Sequence, residues 1–275
     1  VKITDFEDIK CSGNWMWPGK DKFEGFHLYK AVKAFSSVIT ELGLGIDGGK
    51  DSLSMVVKSK DKLVKSPGSL VVSGYAPCSN INKIITPDMK DIDSDLVYID
   101  LGCGKYRMGG SSLAHVFKEV GDISPDIVSP SQLERTFKLI QRLIDDGLIL
   151  AGHDRSDGGL ITTILEMCMA GDKGAVVNIE SDVNLISYMF AEELGMVLEV
   201  NSFKDVRDKF GDIPVYHIGK TISTKEVRII FNNVLVFNEE LPYVRTNWES
   251  TNYQLELLQS NKDCANKEMF NLGKI

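Results

Sequence analysis

Three short segments concentrate the residue types that do chemistry. His153-Asp154-Arg155-Ser156-Asp157-Gly158-Gly159 packs two carboxylates, a hydroxyl and a guanidinium just before a helical run. Mg²⁺ usually takes one or two protein carboxylates and completes its shell with phosphate oxygens and water. Asp154 or Asp157 could supply such an oxygen, while Ser156 and the glycine N–H groups hold phosphate oxygens. The same residues also fit a plain helix entry, with Ser156 or Asp157 as N-cap, Arg155 in a surface ion pair and His153 packed in the core.

A second segment, Gly102-Cys103-Gly104-Lys105-Tyr106-Arg107-Met108-Gly109-Gly110-Ser111, lies between a strand-like and a helical run. A helix N-terminus offers free N–H groups and partial positive charge to an anion. Gly109 and Gly110 permit close approach and Ser111 adds a hydroxyl; a tight strand-to-helix turn explains the glycines equally well. The third segment is Gly45-Ile46-Asp47-Gly48-Gly49-Lys50-Asp51-Ser52. Lys50 could place a point charge on a phosphate. It is not a Walker loop, which needs Gly in place of Leu44, Ser or Thr in place of Asp51, and a following helix. A glycine turn with a surface Lys–Asp pair is the alternative. His27, His115 and His217 are isolated and read as structural or surface groups, Cys168 as a core thiol, and Trp15 and Trp17 as packing anchors or a lid.

The elements that must position these segments follow from periodicity. Leu28, Val32, Phe35, Ile39 and Leu42 form one stripe of a helix over 25–42, ended by Gly43 and Gly45. Strands are expected at 53–57, 69–76, 96–101, 148–151, 196–200, 215–218, 227–231 and 234–237, with Asn232-Asn233 turning the last hairpin. Helices are expected at 112–120, from Pro130 to the Gly147 stop, and at 160–170, 184–194 and 202–210. Beyond Thr246 the chain is polar, with one amphipathic helix expected near 253–258. Helices and strands mix without a strict βα repeat, so the fold class is α+β.

Composition sets the outer bounds. With 275 residues, 43% hydrophobic and 25% charged, the chain is globular in type and long enough for one large domain or two ordinary ones. A net charge of -8 without any basic run disfavours a nucleic-acid surface but leaves nucleotides open. No apolar stretch is long enough to span a bilayer, and the N-terminus lacks a signal-peptide core. Five widely spaced cysteines without a CxxC pair fit reduced thiols and a cytoplasmic location. The chain opens on Val rather than Met, which fits a piece of something longer.

Seven strings occur together: CSGNWMW (11–17), GIDGGKDSLSM (45–55), LVVSGYAP (70–77), ITPDMK (85–90), RMGGSSLA (107–114), GHDRSDGGL (152–160) and FAEELG (190–195). In this order they resemble the phosphoribosylformylglycinamidine synthase family, in its large single-chain form, over residues 6–260. The resemblance implies an aminoimidazole-ribonucleotide-synthetase-like fold. A partial barrel-forming subdomain would cover 1–86 and an α/β subdomain 87–245, with 246–275 as a linker toward an absent glutaminase domain. It further implies the second half of a synthase core in an ATP-dependent C–N ligase. That parent uses glutamine-derived ammonia to amidate formylglycinamide ribonucleotide in purine biosynthesis.

Carried onto these positions, the resemblance makes Asp154 a Mg²⁺ ligand and Ser156 a nucleotide contact in an auxiliary site that holds ADP or ATP. Lys50, Gly109, Gly110 and Ser111 would lie near the phosphates. His115 stands where the family pattern leads one to expect Gln. The implied partners are nucleotide and the rest of the same polypeptide, with self-association through barrel strands as a further expectation and neither nucleic acid nor membrane. The isolated segment is expected to lack synthase and glutaminase activity. Two alternatives stand beside this reading: a non-catalytic nucleotide-binding scaffold, and a stand-alone ATP-using relative, which would need a fuller carboxylate set than the sequence offers.

Overall fold

The structure is a computed structural model that describes residues 1–60 and 62–272. Two compact units divide the chain. One comprises Val1–Lys83 with Pro130–Gln141, the other Ile84–Ser129 with Arg142 onward.

The first unit holds β1 (Lys10–Met16), α1 (Glu24–Glu41), β2 (Gly45–Ser52), β3 (Val56–Ser59), β4 (Lys62–Lys65) and β5 (Ser69–Tyr75). Its sheet runs β2-β1-β5, with β1 parallel to β2 and antiparallel to β5; β3 and β4 form a separate hairpin. The expected glycine loop at 45–52 is therefore a strand, and the expected strand at 53–57 begins only at Val56. Close packing of β1 and β2 requires Gly49. A Cβ on Gly49 would stand 2.5 Å from the Gly13 carbonyl oxygen. Trp15 packs edge-on against Phe35 of α1, and Trp17 donates its indole N–H to Glu24 at 3.1 Å, so both tryptophans are packing anchors. No closed barrel is formed among the described residues.

The second unit contains β6 (Asp95–Asp100), α2 (Ser112–Val116), the last turn of α3 (Pro130–Asp145), β7 (Ala151–Asp154), α4 (Gly159–Gly171) and β8 (Gly174–Ile179). It continues with α5 (Leu185–Phe190), β9 (Gly195–Val200), α6 (Phe203–Val206), β10 (Val215–Ile222), β11 (Glu226–Phe231), β12 (Val234–Glu240), α7 (Leu241–Gln259) and α8 (Lys262–Leu272). The sheet order is β12-β11-β8-β10-β6-β9-β7. All neighbours are antiparallel except β8 and β11. Leu160, Ile164, Met167 and Cys168 of α4 bury their side chains in one core with Val177, Val197 and Ile229 of the sheet. Asn232 and Asn233 have φ of 50° and 63°, as the expected hairpin turn requires. The polar C-terminal stretch forms two helices rather than one short one. Leu241 anchors the start of α7 in the core, and Ala265 is buried in the first turn of α8.

The order β6-β9-β7 places two chain exits and one entry at the same sheet end. Asp100, the last residue of β6, pairs with Gly195, the first of β9, and Asp154, the last of β7, pairs with Met196. The loops after β6 and β7 and the segment leading into β9 therefore meet there.

Candidate functional site

The loop after β7 alternates sharply in exposure. Asp154, Ser156 and Asp157 are exposed, while Arg155 between them is only 3% exposed. Arg155 is thus a buried tie rather than a surface ion pair. Its Nε donates to the Glu193 carbonyl at 2.5 Å and its Nη2 to the Leu194 carbonyl at 3.0 Å and to Asp100 Oδ1 at 3.3 Å. Nη1 donates to the Tyr98 hydroxyl, and the backbone N–H donates to the Gly195 carbonyl at 2.8 Å. With the guanidinium drawn inward, its neighbours on both sides face solvent.

Neither Ser156 nor Asp157 caps the helix. The N-cap of α4 is Gly158, at φ 83°, with no side-chain cap of its own. His153 is half-buried; its Nε2 lies 3.1 Å from Glu166 Oε2 and its Nδ1 2.7 Å from the Asp154 carbonyl oxygen. Burial pushes the Glu166 carboxyl above the usual range. The charges of Asp154 and Asp157 add to that rise and His153 opposes it. Among the described residues no group of three or more His, Cys, Asp or Glu is placed to hold a metal ion. Asp154 offers a hard oxygen donor with a 73% exposed side chain, which suits one position in a Mg²⁺ shell otherwise filled by phosphate and water.

The loop after β6 is closed on itself. The N–H of Gly109 donates to the Ile123 carbonyl at 2.8 Å, that of Gly110 to Val120 at 2.6 Å, and that of Ser111 to Met108 at 3.3 Å. Ser111 is fully buried and its hydroxyl accepts the Ala114 N–H at 3.2 Å as the N-cap of α2. These groups are committed within the chain. Gly109 is required by space, since a Cβ there would lie 2.5 Å from the Ile123 carbonyl carbon. Earlier in the loop, Asp100 accepts the Gly102 N–H at 2.9 Å and the Gly104 N–H at 3.3 Å.

The segment 190–195 ties both loops together, a role no spacing rule revealed. Glu193, fully buried, receives Arg107 Nε on Oε1 and Nη2 on Oε2, each at 2.6 Å. This fork holds the Arg107 guanidinium pKa above its usual value. Glu192 Oε1 receives the backbone N–H of Ser112 and of Gly158, each at 2.8 Å. The sequence signal was two adjacent acids entering a buried strand, which is an uncommon place for charge unless it is paired. Lys50 lies in the other unit, on β2, with its Nζ 2.8 Å from Ser52 Oγ.

Comparison with known proteins places this arrangement. Residues 1–77 match the FGAR-AT PurM_N-like domain, and residues 101–232 match the C-terminal domain of AIR synthase related proteins. Phosphoribosylformylglycinamidine synthase of Dictyostelium discoideum is 43% identical over 100% of this chain and 22% of the relative. The Homo sapiens protein of the same name is 40% identical over 97% of this chain and 21% of its own length. The chain belongs to the phosphoribosylformylglycinamidine synthase family.

It spans about a fifth of the length of these phosphoribosylformylglycinamidine synthase relatives. Two solved structures share the fold. Thermotoga maritima PurL complexed with ATP has TM-score 0.57 at 14% identity, over 84% of this chain and 37% of that one. Escherichia coli HypE, a hydrogenase maturation protein, has TM-score 0.54 at 16% identity, over 84% of this chain and 72% of its own. They match the α+β, aminoimidazole-ribonucleotide-synthetase-like class expected for a phosphoribosylformylglycinamidine synthase segment.

Proposed function

We propose that this chain is part of the second half of the synthase core of a phosphoribosylformylglycinamidine synthase, where it forms much of an auxiliary Mg²⁺–nucleotide site for ADP or ATP. Support comes from the alternation at the end of β7, where burial of Arg155 leaves Asp154 and Ser156 facing solvent together. In this reading Asp154 supplies one carboxylate oxygen to Mg²⁺ and the Ser156 hydroxyl donates to a phosphate oxygen. Bound Mg²⁺ would neutralise phosphate charge. Gly109, Gly110 and Ser111 contribute shape to the adjoining loop, because their amides and the Ser111 hydroxyl are already engaged. Lys50 is assigned a phosphate charge in the first unit. The T. maritima PurL structures complexed with ATP and with ADP support nucleotide as the ligand class.

For the parent enzyme the reading is ATP-dependent amidation of formylglycinamide ribonucleotide. The γ-phosphoryl group moves to the amide oxygen and ADP leaves; glutamine-derived ammonia then adds to the carbon and phosphate departs, giving the amidine. The partners would be the first synthase half and a glutaminase domain of the same cytoplasmic polypeptide, with 246–275 as the connector toward the latter. Within this segment the site is structural, and the isolated chain has neither synthase nor glutaminase activity. No helix among the described residues is long and apolar enough to cross a membrane.

Calorimetry on the full-length polypeptide with Mg·ADP tests the assignment. Asp154→Asn removes one anionic oxygen from the metal and is expected to weaken binding about 10-fold or more. Unchanged affinity would remove Asp154 from the site.

A further inference from the structure

We propose that Glu192 is the positioning residue of this site: one carboxylate oxygen couples the loop after β6 to the loop after β7, so that the two hold a nucleotide as a unit. The inference rests on the functional reading above for its ligand, and on hydrogen bonds for its geometry. Glu192 stands 80 residues from Ser112 and 34 from Gly158, yet its Oε1 accepts both N–H groups at 2.8 Å. Ser112 opens α2 and Gly158 caps α4, a helix that lacks a side-chain cap. A carboxylate is well suited to that place, where unpaired helical N–H groups concentrate positive potential.

The backbone that carries Glu192 is itself fixed. Ala191 and Glu193 are fully buried. The Glu193 and Leu194 carbonyls receive the Arg155 guanidinium, and the Leu194 carbonyl also receives the Leu101 N–H at 3.0 Å. Residues 155–158, which carry exposed Ser156 and Asp157, are therefore strung between two anchors on one segment. Arg155 N–H is held by the Gly195 carbonyl and Gly158 N–H by Glu192. The other loop has the matching pair: Arg107 is gripped by Glu193 and Ser112 by Glu192. Release of Glu192 frees the far end of both loops together while leaving their near ends attached.

The test uses the full-length polypeptide with Glu192→Ala and Glu192→Gln. Hydrogen exchange is followed by mass spectrometry over peptides 107–116 and 154–162, and Mg·ADP affinity is measured in parallel. Glu192→Ala is expected to speed exchange in both peptides and to weaken Mg·ADP, each by about 10-fold, since it removes two hydrogen bonds to a charged acceptor. Glu192→Gln keeps an oxygen that can accept both N–H groups and is expected to stay within about 3-fold of the parent. Ile229→Val, a change in the sheet core, controls for general destabilisation and is expected to leave both peptides protected.

If Glu192→Ala fails to fold, Glu192→Asp, one methylene shorter, reads the same coupling. The proposal is overturned if only one peptide loosens, if Gln behaves as Ala does, or if Ile229→Val reproduces the effect. Failure of the nucleotide assignment is seen separately, as Asp154→Asn binding Mg·ADP like the parent, and the exchange data still decide the coupling.

Discussion

Arg155 illustrates how a single side chain can arrange a site without touching what the site would hold. Its guanidinium fills a buried space beside the Tyr98 ring and is matched by two carbonyls and the Asp100 carboxylate. Removing it leaves the buried Asp100 carboxylate without its counter-charge and the Glu193 carbonyl without this donor. Arg155→Ala is expected to cost about 3–5 kcal/mol, read as a lowered urea midpoint. Arg155→Lys recovers little of this, because an ammonium cannot reproduce the planar fork. Cys168 is the opposite case, an inert residue whose type suggests reactivity. It is fully buried, and burial pushes its thiol up to about 12. A thiol reagent at pH 8 is expected to leave Cys168 unmodified in the folded chain and to label it in urea. At this scale residue type and position singled out Asp154 and Ser156 as candidates, and both are exposed. The inward turn of Arg155 was not, since its partners Tyr98, Asp100 and Glu193 lie tens of residues away in sequence.

Elements were legible where one periodicity ran uninterrupted. The helices α1, α3 and α4 begin and end close to where their stripes and stop signals place them. Four strands were missed: β1, β2, β4 and β8. In β1, Ser, Gly and Asn break up the β-branched pattern that signals a strand. In β8, GAVVNI, Gly, Ala and Asn are weak strand formers and leave only Val176, Val177 and Ile179 to signal a strand. The 45–52 segment reversed the usual inference, because it runs as a strand beside β1 and Gly49 serves close strand contact rather than a turn. Loop shape is equally demanding at Gly109. Gly109→Ala is expected to cost about 1–3 kcal/mol through displacement of Ile123 and Ser124, with a lowered melting temperature as the readout.

The start of β6 carries a pH-dependent tie. Burial alone would raise the Asp95 carboxyl, but the Phe203 N–H at 2.7 Å and the His217 ring at 3.1 Å hold it below the usual carboxylate range. A carboxyl lowered on folding adds stability above its unfolded value of about 4, and that stability is lost as pH falls through the folded value. Asp95→Asn should therefore cost about 1–2 kcal/mol at pH 7 and progressively less toward pH 3. Urea unfolding at both pH values checks this, and a constant difference contradicts it.

At the level of the whole molecule the two units differ in how they meet solvent. The second unit surrounds a continuous core with helices and closes its sheet end with the Glu192 and Glu193 ties. The first unit has only three strands in its main sheet, and β5 exposes Val71 at 50%, Val72 at 42% and Tyr75 at 51%. Helix α1 contains no buried residue. An edge strand with unpaired N–H and C=O groups beside exposed apolar side chains is a template for pairing with another chain. The 275-residue chain by itself is therefore expected to self-associate as concentration rises. A lysine on that edge should oppose pairing through desolvation and like-charge repulsion, so Val72→Lys is expected to shift the chain toward monomer. Sedimentation velocity across a concentration series gives the answer. A parent chain that holds the monomer mass of 30.5 kDa throughout would show that its strand edges are protected within the fold. Association undiminished by Val72→Lys would place the contact on another surface, with the exposed aromatics Phe23, Phe26 and Tyr29 around the start of α1 the next to change.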